Sequence, residues 1–199
     1  MIDDLAESGI EYKPNPIQVR FAQDPRQFRW LCGGYGTGKT TELVMQAFGN
    51  AVFRHPGFTG AVVAPSYALL FQAWFAEWCQ WIPREWWTLR QDSKSGAEIT
   101  LALPDGKKSK ILLRSTSNPW GNEGTNLAWA IFDEASRERN VQSYRVLASR
   151  LRRGYPGRQR DMCLSGPPST RKHWTAAEFG WGPKPAENGK PAFLGHSLH

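Results

Sequence analysis

Gly33-Gly34-Tyr35-Gly36-Thr37-Gly38-Lys39-Thr40-Thr41 is the stretch on which the reading of this 199-residue chain turns. It fits the pattern G-x-x-x-x-G-K-[ST], with Gly33, Gly38, Lys39 and Thr40 in the fixed places. The residue types have physical reasons. Glycines let the backbone turn and approach a ligand with no Cβ in the way. A run of amide N–H groups then points inward as an anion-binding nest. The helix that follows adds its positive N-terminal end. Lys39 is expected to reach the β- and γ-phosphates of a nucleotide, and the Thr40 hydroxyl to bind Mg²⁺. The flanks agree. Residues 28–32 (Phe-Arg-Trp-Leu-Cys) read as a short buried strand, and 41–50 carry Leu43, Val44, Ala47 and Phe48 at helical spacing.

Composition bounds the rest. The length suits one α/β domain with a real core. Hydrophobic residues at 40% exclude a disordered chain. The formal net charge of +7 suggests a polyanionic partner, with a merely solvated basic surface as the plainer reading. Cys32, Cys79 and Cys163 are odd in number and widely spaced, with no CxxC pair. That pattern predicts reduced, mostly buried thiols and argues against a zinc site or a disulfide framework. No apolar run is long enough for a membrane span, and the N-terminus lacks the features of a signal peptide.

Taken in order, residues 1–14 are expected to form an arm. Pro14-Asn15-Pro16 fixes an extended entry to a short helix over 17–23. Gln18 is a candidate for reading the edge of adenine, since one side-chain amide both donates and accepts. A surface Gln in a capping turn fits as well. Residues 59–64 (Thr-Gly-Ala-Val-Val-Ala) read as a second buried strand, and Ser66 caps the helix that follows. That helix, 67–81, carries Leu70, Trp74, Phe75, Trp78 and Trp81. The stripe reads as core ahead of a stacking platform for bases. Residues 97–103 and 109–115 make a β-hairpin around the turn Pro104-Asp105-Gly106-Lys107. Residues 138–153 read as a basic helix with Val141, Tyr144, Leu147, Ala148 and Leu151 inward. The arginines on and after it suit either phosphate contacts or a solvated face.

The apolar strand 127–132 runs straight into Asp133-Glu134. Asp133 is expected to hold Mg²⁺, directly or through water. Glu134 is expected to orient and deprotonate the attacking water. Tandem carboxylates at a strand end also occur as helix N-cap charge. Their pairing with the loop at 33–40 is what favours the nucleotide reading. A further strand over 161–164 ends in Ser165-Gly166-Pro167-Pro168, a polar turn placed where ligands sit at the carboxyl ends of parallel strands. Residues 181–199 read as a Pro/Gly-rich tail or the start of a linker.

With these residues in hand, the chain resembles the ATPase domain of the large terminase subunit of tailed bacteriophages. The resemblance spans about residues 15–179. It includes the Pro-x-Gln entry at Pro16 and Gln18, the phosphate loop, Val63-Ala64-Pro65-Ser66, the hairpin, Ile131-Phe132-Asp133-Glu134-Ala135, and Ser165-Gly166-Pro167-Pro168. It implies an α/β P-loop NTPase fold of the ASCE type, a mainly parallel sheet sandwiched by helices with a β-hairpin insertion, over residues 15–180. It implies ATP and Mg²⁺ as cofactors, with Gly33, Gly34, Tyr35, Gly36, Thr37, Gly38, Lys39, Thr40 and Thr41 around the nucleotide and Lys39 and Glu134 catalytic. Ser165, Gly166 and Pro167 resemble the motif that couples nucleotide state to DNA movement. The implied activity is ATP hydrolysis driving double-stranded viral DNA into a procapsid, in the host cytoplasm. The implied partners are a homo-oligomeric ring, a portal protein and a small terminase subunit, with no membrane. Alternatives are a helicase-like remodelling ATPase and a nucleotide-binding structural subunit of low turnover.

Two departures matter. Family members often carry Arg-Gly in the loop before the acidic strand, where this chain has Trp120-Gly121-Asn122-Glu123-Gly124. An arginine finger then has to come from elsewhere, and Arg137, Arg139 and Arg114 are the candidates. The family also continues into a nuclease domain. The late segment here offers only Glu178 and Glu187, so no nuclease activity is expected of this chain alone.

Overall fold

The computed structural model describes residues 5, 8–92, 96–117, 124–170, 172–179 and 196–198. Six α-helical segments and eight strands are described: α1 (Pro16–Gln23), β1 (Phe28–Gly33), α2 (Lys39–Gly49), β2 (Thr59–Ala64), α3 (Tyr67–Leu69), α4 (Ala76–Trp81), β3 (Trp87–Asp92), β4 (Gly96–Ala102), β5 (Lys108–Ser115), β6 (Trp129–Phe132), α5 (Gln142–Ser149), β7 (Asp161–Gly166), α6 (Trp174–Phe179) and β8 (His196–Leu198). The strands form one sheet in the order β3-β4-β5-β2-β6-β7-β1-β8. From β5 to β8 every neighbouring pair is parallel, while β3, β4 and β5 form an antiparallel meander at one edge.

The central strands are apolar nearly throughout because helices cover both faces. Successive side chains divide between two cores, as strand geometry requires. Leu31, Val62, Ile131 and Cys163 join the core under α2 and the 67–81 helix. Their neighbours Trp30, Cys32, Val63, Phe132, Met162 and Leu164 join the core under α5 and α6. Gly60 shows why one strand position has no side chain. It pairs with Trp129 across β2 and β6. A Cβ there would lie 2.0 Å from the Trp129 ring.

The 67–81 helix starts on a Ser66 cap, whose Oγ accepts from the Leu69 N–H at 3.2 Å, and is π-helical over Leu70–Phe75. Trp74 and Trp78 are fully buried, with ring centroids 5.3 Å apart. The aromatic stripe is therefore core. β4 and β5 supply the expected hairpin. The strand before it, β3, has no counterpart among the expected elements, and it makes the insertion three-stranded. The predicted helix over 138–153 contracts to Gln142–Ser149. Cys32 and Cys163 are buried thiols, but Cys79 is exposed. The expected arm holds Leu5 and Ile10, both packed in the core. Of the expected tail, residues 181–195 and 199 lie outside the described residues, and His196–Leu198 pairs in parallel with β1. Among the described residues no helix is long and apolar enough to cross a membrane.

Candidate functional site

The site sits at the carboxyl ends of β1, β6 and β7, three adjacent parallel strands. β1 delivers the loop 34–38, which opens directly into α2 at Lys39. Gly36 and Gly38 have φ of 72° and 77°. That left-handed backbone favours glycine. At Gly38 a Cβ would also approach Gln18 Nε2 to 2.8 Å. The loop is thus shaped by backbone freedom at two points and by close packing at one.

Lys39 is buried, and its Nζ donates to the Gly34 carbonyl at 2.7 Å. Thr37 Oγ1 donates to the same carbonyl at 2.9 Å. The ammonium is thereby held inside the loop. Thr40 Oγ1 donates to Asp133 Oδ2 at 3.4 Å. This contact brings together two residues that are 93 positions apart in the chain.

Asp133 is 2% exposed. Burial raises its pKa above the usual carboxylate value, opposed by a hydrogen bond from Ser165. The Ser165 hydroxyl donates to Asp133 Oδ1 at 2.5 Å, and the Glu134 N–H reaches the same oxygen at 3.1 Å. Asp133 Oδ2 faces Thr40, so a hydroxyl and a carboxylate oxygen stand ready to share one divalent ion. No group of three or more His, Cys, Asp or Glu side chains that could hold a metal occurs among the described residues. The pair of oxygens fits Mg²⁺, which is commonly held by one or two carboxylates together with phosphate oxygens and water.

Glu134 has φ 54° and is the one non-glycine residue with positive φ among those described. It precedes the short 3₁₀ turn Ala135–Arg137, and its side chain makes no capping hydrogen bond there. Its carboxylate faces Arg137, whose Nε lies 2.8 Å from Oε2. The pair is an ion contact without hydrogen-bond alignment. Arg137 also donates to the Tyr35 hydroxyl at 3.0 Å, with its guanidinium 5.9 Å from the ring centroid. Tyr35 is 74% exposed. Arg137 and Tyr35 thus span the mouth between phosphate loop and acidic turn.

Several expected residues stand elsewhere. Gln18 is the N3 member of a capping box, with Oε1 accepting from the Asn15 N–H at 2.8 Å. Its Nε2 donates to the Gly38 carbonyl at 2.9 Å. The amide thus acts as a strut between α1 and the glycine-rich loop, with one N–H and one oxygen lone pair engaged. Thr41 Oγ1 donates to Glu77 Oε2 at 3.0 Å, so its side chain fastens α2 to the 67–81 helix and does not face the loop. Arg114 donates to the carbonyls of Ala97 and Leu113, both at 2.9 Å, within the meander. Arg139 is exposed. Ser165 and Gly166 belong to the end of β7 and not to a turn after it. A Cβ on Gly166 would come within 2.4 Å of Ser136 Oγ, so this glycine lets β7 press against the turn that follows Glu134. Of the loop Trp120–Gly124, only Gly124 lies within the described residues.

No protein-family model matches the sequence, and no curated protein matches it. Solved structures do. The large terminase of a thermophilic bacteriophage superposes with a TM-score of 0.66 at 14% identity, covering 84% of this chain and 42% of that one. Further structures of that thermophilic terminase hold ADP and ATP-gamma-S. The large terminase ATPase domain of Thermus phage P74-26 gives 0.64 at 20% identity over 89% of this chain and 74% of that one. The large terminase of bacteriophage HK97 gives 0.56 at 14% identity over 79% and 34%. The chain thus spans less than half of the first and about a third of the last of these proteins, and about three quarters of the isolated P74-26 domain. With the glycine-rich loop, the acidic strand end and the Ser165 contact all gathered at one edge of a mainly parallel sheet, this chain has the fold of the phage large-terminase ATPase domains.

Proposed function

We propose that this chain is a Mg²⁺-dependent ATPase that works as the motor domain of a viral DNA-packaging machine, driving double-stranded DNA into a procapsid in the host cytoplasm. The observation that carries the reading is the convergence of Lys39, Thr40, Asp133, Glu134 and Ser165 at one strand edge, from three separate stretches of chain. In this scheme the N–H groups of 34–41 cradle the phosphates. Lys39 exchanges its bond to the Gly34 carbonyl for the γ-phosphate oxygens. Thr40 and Asp133 would hold Mg²⁺, which when bound would supply charge neutralisation at the transferred phosphoryl group. Glu134 takes a proton from the attacking water. Catalysis by such a site is chiefly positioning and charge stabilisation.

The coupling role belongs to Ser165, Gly166 and Pro167. Ser165 touches Asp133 directly, and Gly166 packs on the turn after Glu134, so a shift at either carboxylate is felt by β7. The proposed assembly is a homo-oligomeric ring that meets a portal protein and a small terminase subunit. Arg139 is the best placed candidate to act on a neighbour, because Arg137 is engaged within its own site and Arg114 is tied to backbone carbonyls.

The test is steady-state ATP hydrolysis against protein concentration, with and without linear duplex DNA, beside Glu134→Gln and Lys39→Ala. Turnover per subunit that rises with concentration and DNA, and is lost in both variants, supports an assembling DNA motor. Turnover that survives in Glu134→Gln would remove Glu134 from the role of base, and no turnover in the unmodified chain would remove the hydrolytic assignment.

A further inference from the structure

The nucleotide site occupies the carboxyl edge of the sheet. The opposite, amino edge carries a second assembly of charge. Residues 152–160 run along it, between the Leu127–Leu151 bridge and the first residue of β7. Arg152, Arg153, Arg158 and Arg160 are all exposed. Among the described residues no carboxylate pairs with any of the four. Their polar contacts within the protein are to carbonyls: Arg152 Nε to Ser149 at 2.7 Å and Arg160 to Arg152 at 3.0 Å.

The segment is held in shape from below. His55 is fully buried. Its Nδ1 accepts from the Tyr155 N–H at 3.1 Å, and its Nε2 meets the Gln159 carbonyl at 3.2 Å. Two concavities flank the pinned loop. One, of about 550 Å³, is lined by Lys107, Arg153 and Tyr155 among others. The other, of about 670 Å³, is lined by Arg54 and Arg158 among others. Lys107 comes from the tip of the hairpin, Arg54 from the end of the helical stretch after α2, and the remainder from the 152–160 loop. Three distant parts of the sequence therefore meet at this edge. Two of these cations have acidic partners: Asp105 pairs with Lys107 at 2.6 Å, and Asp161 is buried between Arg29 and Arg54. Asp24, which lines the second concavity, pairs with Arg26. The uncompensated charge here, among the described residues, is that of the four loop arginines.

We propose that this amino edge is a contact surface for the phosphate backbone of duplex DNA. A row of exposed guanidiniums on a backbone pinned by His55, with no carboxylate partner among the described residues, suits repeated phosphates, which arginine engages bidentately. Sequence-independent backbone binding needs little else. Stacking on unpaired bases needs several exposed aromatic platforms. Only Tyr155 is available here among the described residues, 44% exposed and packed edge-on against Phe58, while Trp74 and Trp78 are buried. The surface therefore favours duplex over single strand. β7 has six residues, so at about 3.3 Å per residue the two edges lie about 17 Å apart. DNA on this edge would leave the nucleotide mouth open.

The test is fluorescence anisotropy of a labelled blunt duplex of mixed sequence, titrated with salt. Arg153→Gln/Arg158→Gln is compared with Lys13→Gln/Lys172→Gln, which removes the same charge from exposed positions outside the loop and both concavities. Each phosphate contact contributes about 0.9 to the slope of log K against log salt, so the first variant should lose about 2 from the slope and the second close to none. Equal losses in both variants would show that net charge, and not this face, binds DNA. Equal competition by polyglutamate would also overturn the proposal. Basal ATP hydrolysis without DNA is measured on the same samples. Its absence in the unmodified chain would fall on the nucleotide reading alone, because the salt slope does not depend on turnover.

Discussion

Replacing Ser165 by Ala tests the chemistry of the site at its least accessible point. Ser165 is fully buried, and its hydroxyl donates to Asp133 Oδ1 at 2.5 Å. Removing it leaves that oxygen with the Glu134 N–H alone. A hydrogen bond to a charged acceptor contributes about 1.5–3 kcal/mol, and removal leaves a buried acceptor short of a partner. The loss falls on the ionised carboxylate, which is the form that binds a cation. Burial already pushes the Asp133 carboxyl upward, and Ser165 opposes that push. Without the hydroxyl the acid form gains. The Mg²⁺ concentration for half-maximal ATP hydrolysis should therefore rise by about 10- to 150-fold, at about 1.4 kcal/mol per decade. The acid limb of the pH–rate profile should move to higher pH. The assay is hydrolysis over a grid of Mg²⁺ and pH, with thermal melts confirming that the variant folds. A variant that loses turnover while its Mg²⁺ half-saturation stays within about twofold of the parent would refute the reasoning.

Arg137→Ala should lower turnover about fivefold, the scale of one half-exposed ion pair. Mixing it with Lys39→Ala subunits should restore nothing, since Arg137 serves its own site, and recovery on mixing would show action on a neighbour. Asp161→Ala strands Arg29, whose side chain is 1% exposed, and should cost about 3–5 kcal/mol in urea unfolding. Arg29→Met/Asp161→Leu should recover most of that loss. The Glu42 carboxyl, buried in α2 and accepting from Tyr12 and Gln46 at 2.7 Å each, is pushed up to about 7. Between its ordinary value of 4.5 and about 7, the folded chain holds a proton that the unfolded chain releases. Stability should therefore fall as pH rises through that window and level off above it. Thermal melts of Glu42→Gln should lack this slope.

The central architecture was legible because its signals were local and doubled. The loop 33–41 had a strand before it and a helix after it, and strand 59–64 was bounded by turn residues on both sides. Asp133-Glu134 stood out because an apolar strand ended on two carboxylates. What was not legible depended on tertiary partners. β3 reads Trp-Thr-Leu-Arg-Gln-Asp, polar enough to pass for a loop until β4 pairs with it. The helix at 138–153 lost its first turn because Glu138 and Asn140 turn the backbone with their own side chains. Gln18 sits one helical turn after Asn15, a spacing that signals a capping box. That its amide also reaches Gly38, twenty residues on, left no trace in sequence. Nor did the contact of Ser165 with Asp133, which needs two parallel strands in register.

Glu134 carries one more implication. Judged by its backbone alone, position 134 belongs to glycine, since a left-handed conformation costs an ordinary residue about 1 kcal/mol or more. A search for thermostable variants would thus be drawn toward Glu134→Gly, which relaxes the main chain and deletes the proposed base. Selection for stability and selection for work oppose each other at this one residue, and any breeding or design campaign on the scaffold would have to hold it fixed.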